Sequence, residues 1–235
     1  MKTLALILAR GGSKAIPDKN IVPLCGRPLI HYTIDAALNA EGIEEVLLST
    51  DSERIAGVAA DAGLVTEYRR PPELAQDDTP SIDAALHAIQ WLHDRTGAPP
   101  ERVVLLQPTS PLRTAADITA ALHLYDNDNV QTLISVHEMH EHPRECIEYT
   151  GPGQWQYLRP LSRQECGRQR YTGSYYFMNG AIYINKTSYL INERTFVDES
   201  AGLYVMPRER GFDVDDSEDL AMAEFLMSHK QQGMS

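Results

Sequence analysis

No apolar run in this chain reaches the length of a membrane-spanning helix; the opening one, residues 4–9, stops at Arg10. So short a stretch behind Met1-Lys2-Thr3 is also a poor secretory signal. Cysteine is scarce. Cys25, Cys146 and Cys166 leave one thiol unpaired in any intrachain scheme, which suits a reducing compartment, and no C-x-x-C pair points to structural zinc or redox chemistry. Positive charge is in deficit: 21 Lys and Arg against 33 Asp and Glu give a net charge of −12. That balance argues against general binding to nucleic acid or to an anionic membrane. Neither G-x-x-x-x-G-K-[ST] nor G-x-G-x-x-G occurs in the first loop, so the two common phosphate fingerprints are missing. There is no internal repeat. These absences leave a cytoplasmic enzyme as the expectation.

What is present reads as a globular α/β chain. Its 235 residues, 43% hydrophobic and 23% charged, are enough for one large core, with or without a small appendage. A buried strand over 4–9 is followed by a helical stripe over 28–40, a strand over 45–50 and a helix capped by Asp51-Ser52. A short strand over 65–68, a helix over 81–94, a strand over 102–107, a helix over 115–125 and a strand over 132–136 continue the alternation. Such a series predicts a parallel sheet covered on both faces, with ligands at the carboxyl ends of its strands. The loops after Ala9, Thr50 and Leu106 are therefore the ones to examine. From about His137 to Met178 the periodicity weakens, and residues 149–155 suggest a hairpin. That stretch is an expected insertion, a lid or a dimer arm, separating a main domain of residues 1–136 and 179–235. The sheet resumes over 180–184, and a final helix is expected to run to about 227.

Three constellations can carry chemistry. Gly11-Gly12-Ser13-Lys14 sits among Arg10, Lys19 and Arg27, four basic residues with Lys14 against Asp18 alone across 10–27. Glycines let the backbone approach a ligand, and the cations suit phosphate oxygens, although an ordinary strand-to-helix turn has the same composition. In Gln107-Pro108-Thr109-Ser110-Pro111, two prolines stiffen a loop at a strand end and hold Gln107, Thr109 and Ser110 there; a turn capping the next helix is the plainer account. In Phe212-Asp213-Val214-Asp215-Asp216, residues two apart project to one side of an extended segment. Asp213 and Asp215 can thus converge on a Mg²⁺ ion with nucleotide phosphates and water, while Asp216 or Ser217 caps the helix that follows. His137-Glu138-Met139-His140-Glu141-His142 resembles a metal motif, but H-E-x-x-H would need histidine where Glu141 stands.

Taken in register, residues 9–20, 49–51, 70–74, 107–113, 179–184 and 212–215 closely resemble the CMP-sialic acid synthetases, the N-acylneuraminate cytidylyltransferases. The resemblance implies a Rossmann-like three-layer α/β/α fold with a mostly parallel sheet and a small dimerisation arm, active as a homodimer. It implies transfer of CMP from CTP to the anomeric hydroxyl of a nine-carbon 2-keto acid sugar, with release of pyrophosphate. Arg10, Lys19 and Asp215 are then catalytic. Gly11, Gly12, Ser13, Lys14, Asn20, Arg70 and Ser81 meet the nucleotide, and Gln107, Arg168, Asn179 and Tyr183 meet the sugar. Asp213 and Asp215 hold Mg²⁺. The chain departs from the family on the sugar side: Phe177-Met178 stands where arginine and proline are often found, and Arg144-Glu145 where a lysine is often seen. Legionaminic or pseudaminic acid is therefore an alternative acceptor. A non-catalytic nucleotide-sugar-binding protein is the alternative of another class, opposed by the retained Arg10, Lys19, Asp213 and Asp215.

Overall fold

The computed structural model describes residues 2–159 and 173–232. Strand β1 (Thr3–Leu8) is almost wholly apolar because both of its faces are covered. Its Ala5 and Ile7 face one cluster, built with helices α1 (Leu29–Leu38), α2 (Glu53–Asp61) and α4 (Ala115–Asp128). Its Leu4 and Leu6 face the other, built with α3 (Ser81–Thr96) and α5 (Thr187–Glu193). The period-two alternation of a strand thus separates two helical layers across one sheet.

Beside β1, in parallel, lie β4 (Glu45–Ser49) and β5 (Arg102–Leu106). The far side of the sheet holds β6 (Thr132–Glu138) and, parallel to it, β10 (Gly202–Val205). Between β5 and β6 runs β9 (Tyr176–Lys186), antiparallel to both, and the full order is β10-β6-β9-β5-β1-β4. Two small hairpins stand apart: β2 (Pro23–Leu24) with β3 (Arg27–Pro28), and β7 (Ile147–Gly151) with β8 (Gln154–Tyr157). The last helix, α6 (Ser217–Gln232), packs Ala223 against Leu24, Leu29 and Val214.

Local chemistry starts the helices where the sequence placed them. Ser52 Oγ accepts from the Ile55 amide at 3.3 Å to open α2. Thr114 and Asp117 form a reciprocal capping box at the head of α4, with bonds of 3.0 and 3.2 Å. Asp216 Oδ1 accepts from the amides of Glu218 and Asp219 at 2.8 and 3.0 Å, the capping role expected before α6.

Two expectations of extent need correction, and one of fold is met. Residues 65–68 form no strand: Thr66 Oγ1 accepts from the Tyr68 amide at 3.2 Å and donates to the Leu48 carbonyl at 3.4 Å, so a side chain stands in for ladder bonds. The sheet is mostly parallel, as the resemblance implied, with β9 the antiparallel member. The final helix extends to Gln232, past the expected 227.

β9 also contains a large bulge. Val136 pairs with Met178 and Ile134 with Tyr183, so Ser135 alone faces residues 179–182. Ser135 spans the gap, its hydroxyl donating to Asn179 Oδ1 at 2.6 Å and accepting from the Ile182 amide at 2.8 Å. Gly180 sits there at φ 71°, and a Cβ would come within 3.4 Å of Gln107 Nε2. The strands of the sheet run into the expected insertion at both ends, since β6 continues to Glu138 and β9 begins at Tyr176.

Candidate active site

The loops after β1, β4 and β5 meet at the carboxyl edge of the sheet, and the segment before α6 is tied to them by a bond from the Val214 amide to the Thr109 carbonyl at 2.8 Å. Two cavities open there. One, of about 500 Å³, is lined by Arg10, Ser13, Lys19, Asn20, Arg70 and Ser81, among others. The other, of about 570 Å³, is lined by Asp213, Asp215, Asn179, Phe177, His137 and Arg208, among others. Gln107 and Tyr183 line both, so the cavities adjoin across these two side chains. Positive charge gathers in the first and carboxylates in the second.

The individual residues divide into those facing ligand space and those holding the walls. Lys19 is largely buried and its Nζ lies 3.0 Å from Asp215 Oδ1, bridging from one cavity to the other. Arg10 Nη1 and Lys14 Nζ both pair with Asp77, at 2.7 and 2.5 Å. Ser13 lines the first cavity, whereas Gly11, Gly12 and Lys14 are not among its lining residues. The Gly11 amide donates to Asp51 Oδ1 at 2.8 Å, and Gly12 adopts φ 64°, a conformation glycine reaches without strain. Asn20 donates to the Arg10 carbonyl at 2.9 Å and so fixes the loop that carries Arg10.

Arg70 is buried, donating to Ser49 Oγ at 3.0 Å and to the Ser49 carbonyl at 2.7 Å; burial pulls its pKa below that of a free guanidinium. It lines the first cavity as a fixed wall. Asn179 likewise spends its side-chain oxygen on Ser135 and on the Ala181 amide, at 2.6 and 3.2 Å. The sequence singled it out for contact with a ligand, yet its carboxamide oxygen is committed to the bulge of β9. Tyr183 stands 5.8 Å from Phe196, ring centre to ring centre, and burial, with Asp213 nearby, raises its pKa. Arg168 lies outside the described residues.

Arg113, absent from the expected set, organises the loop after β5. Wholly buried, it donates to Thr33 Oγ1 at 2.7 Å, to the Ala181 carbonyl at 2.9 Å and to the Gln107 carbonyl at 3.2 Å. Burial lowers its pKa to about 10. Its place in the Gln107–Arg113 stretch was visible in sequence, but its inward direction was not.

Asp213 and Asp215 flank Val214, whose side chain is fully buried and turns away from them. Burial is the largest influence on Asp213 and raises its pKa; a hydrogen bond from Thr109 opposes this, and the charge of Asp215 adds to it. Asp213 Oδ1 is buried without a hydrogen-bond partner among the described residues. A desolvated, unpartnered carboxylate oxygen beside a second carboxylate is a donor set that a hard divalent cation fits. Among the described residues no group of three or more His, Cys, Asp and Glu side chains converges as a metal site. Two carboxylates completed by phosphate oxygens and water are what Mg²⁺ takes at nucleotides. The histidines of 137–142 do not gather: His137 packs on Phe177 at 5.5 Å, and His142 Nδ1 accepts from the Arg144 amide at 3.2 Å.

Comparison with known proteins places this geometry. A family profile described as cytidylyltransferase matches residues 4–148. The chain is 32% identical over 222 residues to the N-acylneuraminate cytidylyltransferase of Streptococcus agalactiae serotype III, covering 93% of this chain and 52% of that one. It spans about half the length of the N-acylneuraminate relatives it matches, including that of Escherichia coli, of which it covers 53%. To the CMP-N,N'-diacetyllegionaminic acid synthase of Legionella pneumophila it is 32% identical over 235 residues, the full length of both. A solved structure of CMP:2-keto-3-deoxy-manno-octonic acid synthetase complexed with CTP superposes with a TM-score of 0.71 over 98% of this chain and 100% of that one, at 17% identity, which shows the shared fold. With a profile match over more than half its length and a relative matched end to end, the chain belongs to the cytidylyltransferase family.

Proposed function

We propose that this chain transfers CMP from CTP to the anomeric hydroxyl of a nine-carbon 2-keto acid sugar of the N-acetylneuraminate type, giving the CMP-sugar and pyrophosphate. The observation that carries the reading is the junction of a cationic and a carboxylate-lined cavity at Gln107 and Tyr183, bridged by the Lys19–Asp215 pair. Phosphoryl transfer needs positioning and charge neutralisation more than covalent chemistry, and this junction supports both. Arg10, Lys19 and Ser13 hold the triphosphate, with Ser81 and the Arg70 wall beside the nucleoside. Those cations neutralise the charge that grows on pyrophosphate as its bond to the α-phosphorus breaks. The acceptor hydroxyl approaches in line from the second cavity, and Asp215 takes its proton. Asp213 and Asp215 would hold Mg²⁺, which when bound supplies charge neutralisation and lowers the pKa of the attacking hydroxyl.

Phe177 and Met178, each 56% exposed, line the second cavity where the family often carries arginine and proline, and this favours legionaminate or pseudaminate as a second reading of the acceptor. We further propose a cytoplasmic homodimer. The support for the dimer is the β7–β8 hairpin, which exposes Ile147, Tyr149, Trp155 and Tyr157, and for the compartment the odd number of cysteines. Among the described residues no helix is long and apolar enough to cross a membrane. Pyrophosphate release measured with CTP, Mg²⁺ and a panel of N-acetylneuraminate, legionaminate, pseudaminate and Kdo tests the reading. Release with one of the first three is expected; no release with any sugar refutes the catalytic assignment and leaves the binding-protein alternative.

A further inference from the structure

Two cations of the glycine loop are engaged by one carboxylate that the mechanism above does not use. Asp77 Oδ1 lies 2.7 Å from Arg10 Nη1, and Asp77 Oδ2 lies 2.5 Å from Lys14 Nζ. Lys14 first and Arg10 second hold the Asp77 carboxyl below the usual range, so it is ionised throughout the neutral region. Asp77 lines the same cavity as Arg10 and Lys19, on a loop braced from within. Gln76 donates to the Pro72 carbonyl at 2.7 Å, Thr79 to the Glu73 carbonyl at 3.1 Å, and Arg10 reaches the Ala75 carbonyl at 3.4 Å. The carboxylate is therefore presented to the cations by a defined loop.

We propose that Asp77 is a specificity-determining residue that competes, from within the chain, with the pyrophosphate portion of CTP for Arg10 and Lys14. This rests on the cytidylyltransferase reading. A phosphate oxygen and a carboxylate oxygen ask the same thing of a guanidinium or an ammonium, and neither cation satisfies two close anions fully. Binding of the β- and γ-phosphates therefore loosens the Asp77 pairs, and Asp77 reclaims its partners as pyrophosphate leaves. The exchange is inexpensive because the groups are wet: the side chains of Asp77, Arg10 and Lys14 are 42%, 35% and 80% exposed. The competition falls only on ligands that reach these two cations. CTP and pyrophosphate feel it, whereas CMP, which carries only the α-phosphate, does not. Asp77 thus favours turnover by opposing retention of the product that shares the cations with the substrate.

The test compares Asp77→Asn with the parent, each with Mg²⁺, by calorimetric titration of CTP, pyrophosphate and CMP and by product inhibition of turnover. The variant is expected to bind CTP and pyrophosphate more tightly by about three- to tenfold, the range for two screened surface pairs, with CMP affinity changed by less than about twofold. Unchanged or weaker pyrophosphate binding by the variant overturns the inference and makes Asp77 a support for Arg10. Equal tightening of CMP also overturns it, because that is a uniform charge effect. A parent that binds neither CTP nor pyrophosphate overturns the functional reading and this inference together. A parent that turns over normally beside an unaffected variant overturns the inference alone.

Discussion

Replacing Asp213 by asparagine should remove activity and stabilise the fold, and the structure gives the size and the pH dependence of the gain. The Asp213 carboxylate is desolvated, its Oδ1 has no hydrogen-bond partner among the described residues, and Asp215 and Asp219 add like charge, against a hydroxyl bond from Thr109 and the charge of Lys19. An amide of the same shape keeps the Thr109 contact and loses the buried charge. Relief of a strained functional site of this kind is typically worth about 1 kcal/mol, which for a chain of this size raises Tm by roughly 2–4 °C. The sign with pH follows from the raised pKa. Between the unfolded and folded values the native protein binds the extra proton, so parental stability falls as pH rises through that window. The variant has no such loss. Its advantage should be full above the folded pKa and vanish below the ordinary aspartate value of about 3.9. Thermal unfolding followed by circular dichroism at neutral and acid pH measures both. A lower Tm at pH 7, or an advantage that persists unchanged in acid, refutes the account of Asp213 as a desolvated charge.

Asp215→Asn should abolish pyrophosphate release while CTP affinity, measured by titration, stays within about threefold, because its ion pair with Lys19 is largely exposed on the carboxylate side; normal turnover would remove the role given to Asp215. Gly211→Ala should destabilise by about 1–3 kcal/mol and lower Tm accordingly. The new Cβ would collide with the Asn179 amide nitrogen and lie 2.9 Å from Asn179 Cγ, and Asn179 is pinned by Ser135 and Ala181. An unchanged Tm would mean that the bulge yields more easily than its hydrogen bonds imply. Trp155→Ser in the β7–β8 hairpin should shift the protein towards monomer in analytical ultracentrifugation, and an unchanged sedimentation profile would exclude this face as the dimer contact.

Much of the fold was legible because periodicity reports burial directly. A strand such as β1 with apolar residues on both faces can only lie inside a covered sheet, and the cap at Ser52 marks a helix start through a short-range hydrogen bond. Strand direction is another matter. The middle of β9, residues 181–184, reads as apolar as its parallel neighbours, since parity sets which face a side chain occupies and not which way the chain runs. The site was legible as a set of loops and less so as a set of roles. Arg70 and Asn179 sit where the motifs put them but spend much of their hydrogen bonding on Ser49, Ser135 and Ala181. No local pattern distinguishes a polar side chain that faces a cavity from one that holds its wall. Asp77 was hidden for the opposite reason: an aspartate in a polar loop reads as solvated until Arg10 and Lys14 are seen beside it.

The bulge in β9 divides one strand between two kinds of selection. On its far side, residues 183–186 are locked in the sheet's hydrogen-bond ladder with β5 and β6, where a change in length would move the core. On its near side, Tyr176, Phe177 and Met178 pair with β6 alone among the described strands and are open to solvent, Phe177 and Met178 on the wall of the second cavity. The extra residues between them, stitched by Ser135, absorb small insertions and shifts before they reach Tyr183 or the loop holding Gln107. Side chains on the near side can therefore change without moving the first cavity. The seam thus uncouples the wall of the second cavity from the core of the sheet.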